Sequence, residues 1–153
     1  MSYFDFVQTP IGWLQIHASD DAVTALDFDA KPRKPVKPNA LTDRCKQQLL
    51  DYFSGEREAF DLPLAARGTP FQQAVWRALR AIPFGSTCCY GDIADAIGDA
   101  RAVRAVGTAN GRNPIPIIVP CHRVIGRDGS LTGFSGGLDK KEWLLRHEGA
   151  LLM

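Results

Sequence analysis

The sequence predicts a mixed α/β fold of the α+β kind, with strands first and helices after. Three observations carry that expectation. The opening segment alternates apolar and polar side chains with the period of two that half-buried strands show. From Leu41 onward apolar residues recur at intervals of three and four, the spacing of one helix face. The run Arg67-Gly68-Thr69-Pro70 interrupts both patterns. It divides the chain into a small N-terminal α/β domain with an antiparallel sheet, residues 1–66, and a mainly helical C-terminal domain, residues 67–153.

In order along the chain, Tyr3, Phe4, Phe6 and Val7, then Trp13, Leu14 and Ile16, flank Thr9-Pro10-Ile11-Gly12 and read as a β-hairpin. A third strand is expected over Ala22 to Phe28, after the turn formers Ser19-Asp20-Asp21. The stretch from Lys31 to Asn39 packs three prolines and four cations together, so it is neither helix nor inner strand but an exposed, stiff loop. Its cations suit a surface connection, with a phosphate contact as the other reading. Leu41, Cys45, Leu49 and Tyr52-Phe53 mark an amphipathic helix ending near Gly55, with Cys45 as a buried structural thiol. A short strand is expected at Phe60 to Leu64.

In the second half, Thr69 reads as an N-cap with Pro70 at the first helical position and Gln73 nearby, and the helix stops at Pro83-Phe84-Gly85. A short helix from Gly91 to Ile97 and another from Ala100 to Gly111, joined by a tight turn at Gly98, form the pattern of a helix-turn-helix. Such pairs also occur as plain packing units. The β-branched run Ile115 to Val119 reads as a buried strand that delivers Pro120-Cys121-His122-Arg123-Val124. A glycine-rich loop follows, and Asp139 caps a last helix with Trp143, Leu144 and Leu145 inward.

With 153 residues, 45% hydrophobic and 23% charged, the chain is long and apolar enough for a real core without a metal or disulfide staple. No apolar stretch approaches the roughly 20 residues of a membrane span. The N-terminus lacks a secretory signal, which places the protein in the cytoplasm with its four cysteines reduced. Charge is unevenly spread. Residues 1–66 carry seven Lys/Arg against ten Asp/Glu, net −3, and residues 67–153 carry eleven against seven, net +4. Between Arg101 and Arg127 lie five arginines and no acid, in the stretch that also holds a Cys-His pair. Charge alone leaves a solvated basic face and an anionic partner both open.

Cys121 is the cysteine whose neighbours suit activation of a thiol, because a nearby histidine and cation raise the thiolate population. Adjacent side chains rarely face each other, so a water is the natural bridge from the His122 ring to the sulfur. A bare Cys-His dipeptide is equally a buried thiol followed by a surface histidine. There is no Cys-x-x-Cys or His-x-x-x-His spacing for zinc and no phosphate-cradling glycine loop between strand and helix. Neither metal nor cofactor is expected.

The runs Arg104-Ala105-Val106-Gly107, Asn113-Pro114-Ile115-Pro116-Ile117 and Pro120-Cys121-His122-Arg123-Val124-Ile125-Gly126, with the later Ser135-Gly136-Gly137-Leu138, Lys141-Glu142-Trp143-Leu144-Leu145 and His147-Glu148-Gly149, closely resemble the O6-alkylguanine-DNA alkyltransferases, or methylated-DNA–protein-cysteine methyltransferases. The resemblance covers Thr69 to Gly149. It implies a winged helix-turn-helix and a DNA-repair protein that moves an alkyl group from O6-alkylguanine, and from O4-alkylthymine, in double-stranded DNA onto its own cysteine, once per molecule. It implies Cys121 as acceptor and His122 and Glu148 as the relay that takes the thiol proton. Asn113 belongs to the buried hydrogen-bonded network, and Tyr90 helps rotate the nucleotide and bonds the flipped base. Arg104 implies the finger that fills the vacated stack, with Ala105, Arg101, Arg112 and Arg123 on the DNA-binding surface. Val124, Phe134 and Ser135 join Tyr90 in the base pocket. A monomer that can cluster along DNA is the implied assembly.

Departures accompany the resemblance. Phe134 stands where many relatives carry tyrosine, the pair Cys88-Cys89 precedes Tyr90, and the zinc ligands of some relatives' N-terminal domains have no counterpart. Competing readings are a helix-turn-helix transcription regulator, a non-enzymatic lesion binder of the same fold, which would lack the acceptor thiol, and a cysteine hydrolase, which would turn over repeatedly.

Overall fold

In a computed structural model, which describes residues 1–151, the chain divides between Arg67 and Gly68 into two compact units. The first opens with β1 (Tyr3–Thr9) and β2 (Gly12–Ala18), antiparallel, paired from Tyr3↔Ala18 to Thr9↔Gly12. The turn closes tightly because Gly12 takes a φ of 104° and the Thr9 hydroxyl donates to the Gly12 carbonyl at 2.7 Å. β3 (Val23–Asp27) adds antiparallel to β2, giving the order β1-β2-β3. Leu14, Ile16, Val7 and Leu26 are buried, as the period-two alternation requires. α1 (Ala40–Phe53) packs on β1 and β2. Its start is a reciprocal capping box in which Asn39 and Thr42 each bond the other's backbone N–H at 2.8 Å. Leu41, Cys45, Leu49 and Tyr52 form its buried face, and burial pushes the Cys45 thiol up to about 12.

The strand expected at Phe60 to Leu64 shrinks to one bridge, Val23↔Leu64. Pro63 has no N–H to give, and the backbone N–H and C=O of Asp61 are taken by the Gln48 side chain at 2.9 and 3.0 Å. What remains of the ladder is a pair of bonds: the Val23 N–H donates to the Pro63 carbonyl at 2.9 Å, and the Val23 carbonyl accepts from the Ala65 N–H at 3.0 Å.

The second unit begins with α2 (Pro70–Arg80), capped by Thr69 with Gln72, not Gln73, as the reciprocal partner. A Cβ on Gly68 would run into the Trp76 ring, so only glycine lets the chain enter the helix at that angle. The Trp76 indole N–H donates to the Ala109 carbonyl at 2.8 Å. That bond ties α2 to α4 (Val103–Gly111), which follows α3 (Tyr90–Ala96) across a turn at Gly98. α4 starts three residues later than expected, because Asp99 builds its own turn: its carbonyl accepts from the Ala102 N–H at 3.0 Å and its carboxylate from the Arg101 N–H at 3.3 Å. β4 (Cys88–Cys89) and β5 (Val124–Ile125) form a two-residue parallel ladder beside the helix pair. α5 (Leu138–His147) has Gly137, whose φ of 99° favours glycine, at its N-cap position, which the sequence reading gives to Asp139. Leu144 and Leu145 are buried, whereas Trp143 is half-buried and stacks on His147 at 4.9 Å.

The buried strand expected at Ile115 to Val119 is instead a tight turn. The Ile118 N–H bonds the Pro116 carbonyl at 2.8 Å, and Val119 bonds Ile115 at 2.9 Å. Ile117 sits at a φ of 72°, a conformation β-branched residues seldom adopt. Pro116 and Pro120 deny a ladder its donors, and burial of Ile115, Ile117, Ile118 and Val119 holds the strained turn in place.

Candidate active site

That turn hands the chain to a single 3-10 turn, Cys121–Arg123, so the reactive sequence lies on a compressed backbone between buried segments. Cys121 is 2% exposed and its neighbour His122 is fully buried. His122 is therefore no surface histidine. Its Nε2 lies 2.8 Å from Oε2 of Glu148, the residue that ends α5. A carboxylate can only accept there, so Nε2 carries the proton and Nδ1 keeps its lone pair. Nδ1 is buried without a hydrogen-bond partner among the described residues, an orphan base in the interior.

Glu148 is held from two sides. Besides His122, it accepts from Arg123 Nε at 2.8 Å and Arg123 Nη2 at 2.9 Å, while Arg123 Nη1 donates to the Ile82 carbonyl at 2.7 Å. Arg123 thus leaves the DNA-binding surface assigned to it by the resemblance. Its guanidinium is an internal clamp joining the end of α2, the 3-10 turn and the end of α5. Glu148 at Oε2 is shared by two donors, the arrangement that keeps a buried carboxylate charged.

Two asparagines support the sulfur. Asn110 donates to the Cys121 carbonyl at 3.3 Å. Asn113 donates to the Val119 carbonyl at 2.8 Å, accepts from the Ile115 N–H at 3.0 Å and also hydrogen-bonds the thiol. Burial pushes the Cys121 thiol up to about 11, against the pull of the Asn113 bond and the nearby Lys141 charge. At rest the sulfur is a neutral thiol. Burial likewise holds His122 below its ordinary range, with Glu148 opposing, so the ring is neutral and able to accept a proton.

Lys141 is the site residue that the sequence reading did not assign. It is completely buried, donates to the carbonyls of Val124 and Thr132, each at 2.6 Å, and faces no described carboxylate. Burial lowers it to about 8, while the Cys121 thiolate would raise it. The pair Lys140-Lys141 resembles a solvated face. The signal that finds it is periodicity, since Lys141, Leu144, Leu145 and Glu148 share the buried stripe of α5.

Around this centre, Tyr90 opens α3 with its hydroxyl 2.8 Å from Thr132 Oγ1. Lys141 and Tyr90 thereby hold the same residue of the glycine-rich loop. Val124 is buried on β5 opposite Cys88, Phe134 is half-buried and Ser135 is exposed. Arg101, Arg104, Ala105 and Arg112 are all exposed, and none of the three arginine side chains bonds a described residue. A groove of about 400 Å³ runs between the start of α2 and α4, lined by Thr69, Phe71, Ala105 and Arg112 among others.

A helix-turn-helix with exposed arginines on and beside its second helix, built over a buried thiol with a buried histidine base, defines a class: proteins that turn a cysteine nucleophile toward DNA. Comparison with known proteins makes that class specific. The chain belongs to the 6-O-methylguanine DNA methyltransferase family, whose DNA-binding domain matches residues 70–150 and whose ribonuclease-like domain matches residues 2–66. It is 48% identical to the methylated-DNA–protein-cysteine methyltransferase of Methanosarcina barkeri, over 95% of this chain and 96% of that one. Identity to the constitutive methylated-DNA–protein-cysteine methyltransferase of Bacillus subtilis is 45%, over 97% and 96%. The Mycobacterium tuberculosis O6-methylguanine methyltransferase superposes with a TM-score of 0.88 at 45% identity, covering 98% of this chain and 94% of that one. Mycobacterium tuberculosis OGT in complex with DNA gives 0.87 at 46% identity, covering 96% and 92%.

Proposed function

We propose that the chain repairs DNA by moving the alkyl group of O6-alkylguanine to Cys121 Sγ, as a single-use methylated-DNA–protein-cysteine methyltransferase. The observation that carries this reading is the buried relay: a neutral thiol, an orphan His122 Nδ1 and a Glu148 carboxylate fixed on His122 Nε2. One bridging water between Sγ and Nδ1 completes it. As the S–C bond forms and the C–O6 bond breaks, the thiol proton passes to His122, and the purine leaves as guanine by taking a proton from the Tyr90 hydroxyl, which solvent restores as the imidazolium gives up its own. Glu148 stabilises the imidazolium that forms, and Lys141 and the Asn113 amide stabilise the sulfur's negative charge. The Tyr90 hydroxyl donates to the departing purine.

A thiol that is 2% exposed meets guanine O6 only if the base leaves the duplex, and the exposed Arg104 fills the gap. Val124 and Phe134 border the base, with Ser135 closing over O6. Arg101, Ala105 and Arg112 lie along the backbone of double-stranded DNA, where contacts carry no sequence information. O4-alkylthymine presents the same alkyl ether and is the second substrate. The thioether product offers water no leaving group, so each molecule acts once. Free thiols at all four cysteines suit a cytoplasmic setting, and the chain works as a monomer that can cluster along DNA.

Intact-protein mass spectrometry after exposure to excess duplex containing O6-methylguanine tests the reading. One added CH₂ per chain, located on Cys121 and absent in Cys121→Ser, is expected. Several methyl groups removed per chain, or removal by the serine variant, refutes it.

A further inference from the structure

The first unit carries a cavity that the proposed alkyl transfer does not use. A cavity of about 330 Å³ lies under the proline-rich loop, with Phe6, Trp13 and Val36 as apolar lining and Arg33, Lys34 and Lys46 as cations. The loop is pinned at both ends. The Ala30 N–H donates to the Trp13 carbonyl at 3.1 Å, and Phe4 and Lys37 exchange backbone hydrogen bonds at 2.8 and 3.1 Å. Between those anchors two prolines, Pro32 and Pro35, limit its freedom, so the cations are presented by a stiff frame.

Arg33 is the most telling residue. Its guanidinium carbon sits 4.7 Å from the Phe4 ring centre and 5.4 Å from that of Phe6, and the two rings are nearly perpendicular. Aromatic contacts of this kind fix the guanidinium while leaving its N–H donors directed away from the rings. Neither Arg33 nor Lys34 has an acidic partner among the described residues. The acid that lines the cavity, Asp5, is turned to Lys46 at 3.5 Å. This happens in a unit whose net charge over residues 1–67 is −2 and in which four of eight cations belong to the loop. An acidic unit that gathers its cations beside an apolar hollow, with one arginine held ready, matches an anion that has an apolar body.

We infer that this cavity binds an acidic protein segment, one bulky apolar side chain entering beside Trp13 and Val36 while its carboxylates bond Arg33 and Lys34. A DNA backbone would satisfy the cations but leave the apolar hollow unfilled, so the peptide is the better match.

Fluorescence anisotropy of the full chain with a dye-labelled peptide of four aspartates followed by Leu-Phe tests this. Saturable binding is expected, weakened about tenfold or more when the aspartates become asparagines, when Leu-Phe becomes Gly-Ser, or when the protein carries Arg33→Gln. Lys34→Gln is the second variant, and unchanged thermal unfolding shows that both variants fold. No saturation at millimolar protein overturns the proposal, as does equal affinity for the asparagine peptide. Displacement of the peptide by undamaged duplex, with Arg33→Gln weakening duplex binding to the same degree, also overturns it and assigns these cations to the DNA footprint.

Discussion

Replacing Arg123 by methionine separates an interior clamp from a DNA contact. In the structure the guanidinium gives two hydrogen bonds to Glu148, at 2.8 and 2.9 Å, and one to the Ile82 carbonyl at 2.7 Å, with 9% of its side chain exposed. Methionine conserves the stem but leaves a fully buried carboxylate without the positive charge of the guanidinium, facing a neutral imidazole. Removing one member of a buried ion pair typically destabilises by about 3–5 kcal/mol. For a chain of this length that is a fall on the order of 10 °C in Tm. Circular dichroism during heating reads it, and duplex binding measured across a salt series reads the other half. Because Arg123 touches no phosphate in this reading, the slope of log affinity against log salt stays at the parent value, whereas Arg112→Gln lowers it by about 0.9 with Tm unchanged. An Arg123→Met protein with parent Tm and a reduced salt slope would return the residue to the DNA surface and undo the clamp.

Arg104→Ala slows repair of duplex at least about tenfold more than reaction with the free base O6-benzylguanine, since only the duplex must be opened; single-turnover rates on both substrates show whether the two losses diverge. His122 is held below its ordinary value, so the rate with the free base stays level as pH falls to about 6.5 and drops only in stronger acid. Glu148→Gln removes the influence that raises His122, which moves that acid fall to lower pH and lowers the plateau. An unmoved fall would deny Glu148 its tuning role. The sign for stability is the same: the unfolded chain binds a proton at His122 more readily than the folded one, so the fold weakens as pH drops below about 6.5. For Cys121, raised to about 11, stability is intact below the ordinary thiol range and is lost as pH climbs from there toward 11. Lys141→Met withdraws the positive charge beside the sulfur, so the Cys121 thiolate appears at higher pH in ultraviolet difference titration against Cys121→Ser; an unshifted curve would leave Lys141 as a strut for the loop alone.

Much of this was legible in the sequence, because period and punctuation report directly on local geometry. The alternation around Pro10-Ile11 has a single solution, the hairpin, and Thr69-Pro70 with the breaks near Gly98 locate the helices of the second unit to within a few residues. What failed did so for lack of partners. Ile115 to Val119 has strand composition, yet a strand exists only against a neighbour, and prolines removed its donors. Phe60 to Leu64 lost its ladder to the amide of Gln48. Charge was the least legible quantity. An acid-free run of arginines suggests a surface, but its direction depends on a carboxylate 25 residues later, and Arg123 turns inward to meet Glu148. Lys141 shows the converse, a cation that the helical stripe buries although its composition suggests water.

The carboxylate that tunes His122 lies 26 residues downstream of it. Loss or misplacement of the last helix is therefore expected to disarm the thiol without touching it: the imidazole would lose the acceptor for its Nε2–H, and the guanidinium that steadies that acceptor would be equally unmatched. Damage near the end of α5 thus reaches a sulfur carried on a different element.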